Sequence, residues 1–136
     1  MAVTYLLDTS VLTRLRHPAV RSRIEALDAA GLARSPMTDL EIGFSASTAS
    51  DWDRLMAAVA AFPLVDIEPT HFARARKVQR LLADRGLKGR KVRDLLIAAV
   101  GETTARTVLH YDADFDHISA VTAQATQWVV PPGTVD

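Results

Sequence analysis

The sequence predicts an α/β fold in which helices cover both faces of a central, mostly parallel sheet, giving three layers, α/β/α. Short apolar segments alternate with longer segments that carry apolar residues at helical spacing. Strands that are separated by helices pair in parallel through crossover connections, so this alternation is typical of an α/β sandwich. About five short strands are expected, at residues 3–7, 32–35, 63–67, 107–111 and 126–130.

Helices are predicted where apolar residues recur every three or four positions between these strands. Residues 51–61 follow this pattern, and the longest helix is expected to run from Pro69 to about Arg85. Gly86 and Gly89 then mark a loop. The segment from Asp94 onwards restarts a helix that is apolar nearly all round, and it is therefore expected to be buried.

The composition is that of an ordinary globular protein of 136 residues, with 49% hydrophobic and 24% charged residues. No apolar run approaches the ~18 residues needed to cross a bilayer, and the N-terminus lacks the pattern of a secretory signal. A cytoplasmic location without membrane association is therefore expected. Because the chain has no cysteine, a metal ion would have to be held by oxygen or imidazole. The formal net charge of zero counts against tight non-specific binding to a polyanion, but it allows a local positive patch beside a negative pocket.

Two of the predicted strands lead directly into an aspartate, Asp8 after Leu7 and Asp112 after Tyr111. If these strands are neighbours and their helices lie on opposite faces, the two carboxylates flank a topological switch point, where α/β proteins bind ligands. Asp8 has a simpler alternative role, since aspartate is also a preferred residue at a helix N-cap.

Two further acids interrupt apolar segments. Asp94 begins the buried helix, where it could interact favourably with the helix dipole, and Glu41 lies between Leu40 and Ile42, where an arginine could pair with it. An unpaired charge close to the core is costly, however. If the four acids lie within about 4 Å of one another, each like-charged contact costs on the order of 4 kcal/mol at an effective dielectric near 20. Such a cluster could protonate, recruit arginine or bind a hard divalent cation, and oxygen ligands favour Mg²⁺ or Mn²⁺.

The order of these segments resembles a known family, the PIN domain, and more narrowly the VapC-type ribonuclease toxins of bacterial toxin–antitoxin pairs. The resemblance rests on Asp8–Ser10, Glu41, Asp94–Ala99 and Asp112–Asp116, and it extends to Trp128–Pro131. It therefore implies a PIN-like fold and a single PIN domain over residues 1–136.

The resemblance also implies a function, namely metal-assisted hydrolysis of RNA phosphodiesters by a homodimeric toxin that a cognate antitoxin silences. One or two Mg²⁺ ions, or Mn²⁺, would be bound, and the hydroxyl of Ser10, or less favourably Thr9, would hold Asp8 or a metal-bound water. The implied catalytic residues are Asp8, Glu41, Asp94 and Asp112, and the implied metal ligands are Asp8, Asp94, Asp112 and Asp114.

Some assignments stay open at this stage. Asp112, Asp114 and Asp116 would share a side on an extended segment, with Asp112 favoured as the ligand and then Asp114. The basic loop of residues 85–93 could be a solvated loop or a clamp for RNA phosphates, and Arg14 could contribute similarly. The candidate RNA-binding residues are Arg14, Lys88, Arg90 and Lys91. A non-catalytic PIN-like module that binds an antitoxin or RNA is the alternative function.

Overall fold

A four-stranded parallel sheet forms the centre of the computed structural model, which describes residues 4–87 and 91–136. The sheet order is β2-β1-β3-β4, and Leu6 of β1 lies in register with Val108 of β3. The strands are β1 (Tyr5–Leu7), β2 (Leu32–Ala33), β3 (Thr107–His110) and β4 (Thr126–Trp128).

The sheet has four strands rather than about five, because the predicted strand at residues 63–67 is reduced to a single bridge. Leu64 pairs in parallel with Arg34 beside β2, and only the hydrogen bonds around Arg34 connect the two segments. Pro63 has no N–H to donate, and β2 is only two residues long, so neither segment can extend the ladder.

Helices connect the strands and cover both faces of the sheet. Pro18, Pro36 and Pro69 begin three of them, as expected from proline's preference for the first helical turn. The helices are α1 (Thr9–Leu12), α2 (Pro18–Glu25), α3 (Pro36–Gly43), α4 (Ala49–Val59), α5 (Pro69–Asp84), α6 (Val92–Thr103) and α7 (Asp114–Thr122), with a 3₁₀ turn at Ala29–Gly31. Within the described residues, no helix is both long and apolar enough to span a membrane.

The core has two halves, one on each side of the sheet, because successive strand residues point to opposite faces. Leu6 and Val108 pack with the apolar residues of α5, α6 and α7. Tyr5, Leu7 and Leu109 pack on the other side with α1, α2 and the end of α4. The predicted three-layer α/β/α sandwich is therefore confirmed.

The topology brings the ends of β1 and β3 together. The chain leaves β1 toward β2 on one side and leaves β3 toward β4 on the other, and β1 and β3 are hydrogen-bonded neighbours. The strand order therefore reverses between them, and the residues that follow these two strands lie at the switch point.

Candidate active site

Asp8 directly follows β1 and caps the first turn of α1. Its carboxylate accepts hydrogen bonds from the Ser10 N–H at 3.0 Å and the Ser10 hydroxyl at 2.5 Å. The same hydroxyl accepts a hydrogen bond from the Tyr111 N–H at 2.9 Å, so Ser10 connects the ends of β1 and β3. Burial raises the pKa of Asp8, and the hydrogen bonds from Ser10 offset this only in part. Asp8 thus both caps the helix and lies at the switch point.

Asp94 lies in the first turn of α6 with only 2% of its surface exposed. Its Oδ2 atom is buried and has no hydrogen-bond partner among the described residues. Burial, followed by the negative charges of Asp8 and Asp112, raises the pKa of Asp94 to about 8. Asp94 therefore holds a proton at neutral pH unless a positive charge replaces that proton.

The three aspartates after β3 do not share one side, because the chain turns into α7 at Asp114 rather than staying extended. The Asp112 N–H donates to His110 Nδ1 at 3.2 Å, and Asp112 Oδ1 accepts from the Asp114 N–H at 2.9 Å. The Asp116 carboxylate instead accepts from Trp128 Nε1 at 3.2 Å. The structure thus places Asp112 and Asp114 together and Asp116 elsewhere.

Asp94, Asp112 and Asp114 form a cluster whose geometry fits a metal ion. Each offers a carboxylate oxygen, and these oxygens lie within 4.8 Å of one another. The Oδ2 atom of Asp94 is a buried oxygen without a hydrogen-bond partner among the described residues, and a bound cation would satisfy it. An all-oxygen donor set suits a hard cation such as Mg²⁺ or Mn²⁺. Asp8 is close enough to raise the pKa of Asp94, but it is not a member of this group of three.

Lys91 supplies positive charge beside this cluster. Its Nζ lies 2.6 Å from Asp112 Oδ2 and 3.8 Å from Asp114 Oδ2. The hydrogen bond to Asp112 raises the pKa of Lys91. Burial acts to raise the pKa of Asp112, but the hydrogen bonds from Lys91 and the Asp114 N–H outweigh it, and the pKa is lowered.

Glu41 reaches the site from α3 and has two partners. The Thr9 hydroxyl donates to its Oε1 at 2.7 Å, and Arg93 Nε lies 2.7 Å from its Oε2. The sequence offered an arginine partner and a place in the acidic site as alternative roles for Glu41. The structure combines them, since Arg93 lies next to Asp94 in the first turn of α6.

A cavity of about 270 Å³ collects these groups at the ends of β1 and β3. Asp8, Glu41, Asp94 and Asp112 all line it, with Ser10, Arg14, Lys91 and Arg93. Four acids and three basic side chains therefore share the lining of one cavity.

Two of the four candidate RNA-binding residues, Arg14 and Lys91, line the cavity. Arg14 Nη1 donates to the Ser10 carbonyl at 2.9 Å, and the guanidinium lies 4.9 Å from the centre of the Tyr111 ring. Lys91 also lines the cavity. Lys88 and Arg90 lie outside the described residues.

Two contributors, Thr9 and Arg93, were not among the site residues assigned from the sequence. Thr9 was considered only as a weaker partner for Asp8, but its hydroxyl binds Glu41. Arg93 belongs to the basic loop, and its position directly before Asp94 was the available signal. The sequence could not show that α3 crosses the end of β1 and brings Glu41 within reach of both.

Comparisons with known proteins identify the family of this chain. The family model described as "PIN domain" matches residues 5–121. The chain is 56% identical to Ribonuclease VapC51 of Mycobacterium tuberculosis over the full length of both. The structure of VapBC2 from Rickettsia felis bound to a promoter DNA fragment superposes with a TM-score of 0.76 at 17% identity, covering 93% of this chain and 98% of that one. VapBC-5 from M. tuberculosis, a member of the VapBC family of toxin–antitoxin systems, gives 0.66 at 22% identity over 93% and 98%.

The two solved structures have sequence identities below 25% to this chain, so they support the fold alone. The family assignment rests on the family model, which spans most of the chain, and on the full-length similarity to VapC51. This chain belongs to the PIN-domain family and, within it, to the VapC proteins.

Proposed function

We propose that the protein is a metal-dependent endoribonuclease, the toxin of a type II toxin–antitoxin pair. The observation that carries this proposal is the cluster of the buried Asp94 with the half-buried Asp112 and Asp114, with Asp8 beside it at the switch point. The similarity to a protein named as a ribonuclease over its full length supports the same activity. The proposed catalytic acids are Asp8, Glu41, Asp94 and Asp112.

The residues of the site have distinct proposed roles. Asp94, Asp112 and Asp114 would hold Mg²⁺ or Mn²⁺, with Asp8 as a further ligand, and the Ser10 hydroxyl would orient Asp8. When bound, the cation would supply Lewis acidity toward a phosphodiester and lower the pKa of water. Arg14 and Lys91 stand at the cavity wall, where a phosphate of the RNA backbone would meet positive charge.

A cognate antitoxin and a second copy of the chain are the proposed protein partners, and the cytoplasm is the proposed location. Large apolar side chains are exposed on α3 and α4, with Leu40 69%, Phe44 91% and Trp52 45% exposed. Exposed apolar clusters of this kind mark protein-binding surfaces. The solved structure named as a member of the toxin–antitoxin systems shares this fold and supports a partner of that class.

The activity is tested by incubating purified protein with RNA, with and without divalent cations. We expect cleavage in Mg²⁺ or Mn²⁺ and a fall to background after chelation. The chelator removes the cation that the three clustered carboxylates would hold, and with it the Lewis acidity that cleavage needs. Restoring Mn²⁺ should restore cleavage. Cleavage that persists in excess chelator would contradict metal dependence, and its absence under all conditions would favour a non-catalytic PIN-like module that binds an antitoxin or RNA.

A second prediction concerns Lys91. Its ammonium lies at the cavity wall, so Lys91→Gln should weaken RNA binding across many sequences and flatten the salt dependence by about 0.7 to 1 in log–log slope. Binding is measured by fluorescence anisotropy at several salt concentrations, without divalent cations to prevent cleavage. Arg54→Gln is the control, because Arg54 is 72% exposed on α4 and lines no part of the cavity. An unchanged slope would mean that Lys91 only neutralises Asp112.

A further inference from the structure

Helix α5 carries a row of cations on the face that points away from the core. Its buried residues are His71, Ala75, Val78 and Leu82, which recur at helical spacing and pack against α6 and α7. Arg76, Lys77 and Arg80 lie on the opposite face and are exposed. We call these three residues the α5 basic row.

The row has no carboxylate partners among the residues that the structure describes. Within residues 4–87 and 91–136, no ion pair shorter than 4.0 Å involves Arg76, Lys77 or Arg80, whereas Arg74 on the same helix binds Glu102 at 2.6 Å. Asp84 follows Arg80 by one turn, but it is exposed and forms no such pair within the described residues. The α5 basic row therefore presents uncompensated charge to solvent, although the whole chain is neutral.

The shape of this face suits an extended polyanion. The basic row lines an open depression together with Ala73, Gln79 and Ala83. The small alanine side chains allow a strand to approach the helix closely. Residues four apart on a helix are separated by about 6 Å along its axis, which is comparable to the separation of successive phosphates in a nucleic-acid strand.

The orientation of α5 leads this row toward the acidic cavity. Arg74, near the start of α5, binds Glu102, near the end of α6, so the two packed helices run in opposite directions. The C-terminal end of α5 therefore lies at the end of α6 that carries Asp94. One end of a strand bound along the row would therefore lie on the side of the molecule that carries Asp94 and the cavity.

We propose that the α5 basic row is a second RNA-binding surface, which holds the phosphate backbone of the substrate outside the acidic cavity. This inference rests on the proposed ribonuclease activity. The basic side chains of the cavity share its lining with four acids, so positive charge outside the cavity supplies further favourable binding energy for a polyanion without occupying the site of cleavage.

The test compares two triple variants with the unmodified protein. R76Q/K77Q/R80Q removes the row, and R23Q/R54Q/R106Q removes the same formal charge from α2, α4 and the connection between α6 and β3. Each is assayed with a long transcript that the protein cleaves and with a short oligoribonucleotide that spans the same cleavage site and fills only the cavity. Thermal unfolding of each variant checks that the fold is retained.

We expect the row variant to raise KM for the long transcript on the order of tenfold and to reduce the slope of log binding against log salt by about 2, at unchanged kcat. Cleavage of the short oligoribonucleotide should match the unmodified protein. Equal losses in the two triple variants, or equal losses on both substrates, would overturn the inference. So would loss of binding to anionic phospholipid vesicles with RNA binding unchanged, which would assign the row to a membrane surface.

The same variants separate this inference from the proposed activity. If the unmodified protein cleaves no RNA, the proposed function fails, and binding of the long transcript then tests the row directly. Weaker binding by the row variant alone would support the surface, and equal binding by all three proteins would overturn it.

Discussion

Asp94→Asn is expected to reduce RNA cleavage on the order of 10³-fold while leaving the protein folded. Asn keeps the size of the side chain but removes the negative charge from the cluster that would hold the cation. The measurement is the single-turnover cleavage rate in saturating Mg²⁺ and again in Mn²⁺. Asp53→Asn is the matched control, because Asp53 is exposed on α4 and does not line the cavity.

The same substitution should increase the stability of the metal-free protein, although it reduces cleavage. The pKa of Asp94 is raised to about 8 from an ordinary value near 3.8, so between these values the folded protein holds a proton that the unfolded chain has released. Stability of the metal-free protein therefore falls as pH rises through this window, by at most about 1.4 kcal/mol per pH unit from this group. Asn does not titrate, and the variant avoids this loss.

Urea unfolding in chelator, followed by tryptophan fluorescence, provides the measurement. We expect Asp94→Asn to be modestly more stable than the unmodified protein at pH 5 and more stable by a larger margin at pH 8.5, because the difference grows as pH rises from about 3.8 to about 8. A variant that has lost activity and is also destabilised at high pH would show that Asp94 is a structural residue rather than a strained functional one. Retained cleavage together with increased stability would remove Asp94 from the catalytic set.

Metal binding is expected to release close to one proton at pH 6 to 7. Asp94 is protonated there in the metal-free protein, and a carboxylate must be ionised to serve as a ligand. The apparent affinity for Mn²⁺ should rise by up to about tenfold per pH unit below pH 8 and level off above it.

Titration calorimetry in two buffers with different ionisation enthalpies measures the protons released, without any RNA. Asp94→Asn should remove the proton release and weaken binding. The control is Asp53→Asn, which should behave as the unmodified protein. Mn²⁺ affinity that is independent of pH between 6 and 8 would show that the cation does not replace the proton of Asp94.

The fold class was predictable because its signals are local and redundant. Short apolar runs such as residues 5–7 and 108–109 mark strands buried on both faces, and the helical spacing on α5 separates its buried residues from its basic ones. Residues 63–67 have the composition of a strand but form one bridge. Whether they extend the sheet depends on the length of β2, which lies 30 residues away in the chain.

The site shows the same division. The acids could be selected from the sequence because Asp8 and Asp112 end apolar strands and Asp94 opens an apolar helix. Their partners could not be assigned in the same way. Lys91 pairs with Asp112 across 21 positions, and Arg93 pairs with Glu41 across 52, so these contacts depend on how α3 and α6 pack around the sheet.

Local pattern therefore specified the alternation of strands and helices, the parallel sheet and the acids at strand ends, since each depends on a few neighbouring residues and the period of one element. Packing of distant elements set the rest. Among the described residues it leaves one oxygen of the buried Asp94 without a hydrogen-bond partner, brings Asp114 but not Asp116 to the cluster, and places Lys91 beside Asp112. Electrostatic interactions fall off over a few ångströms, so the charge state of each acid depends on neighbours that only the folded chain brings within reach.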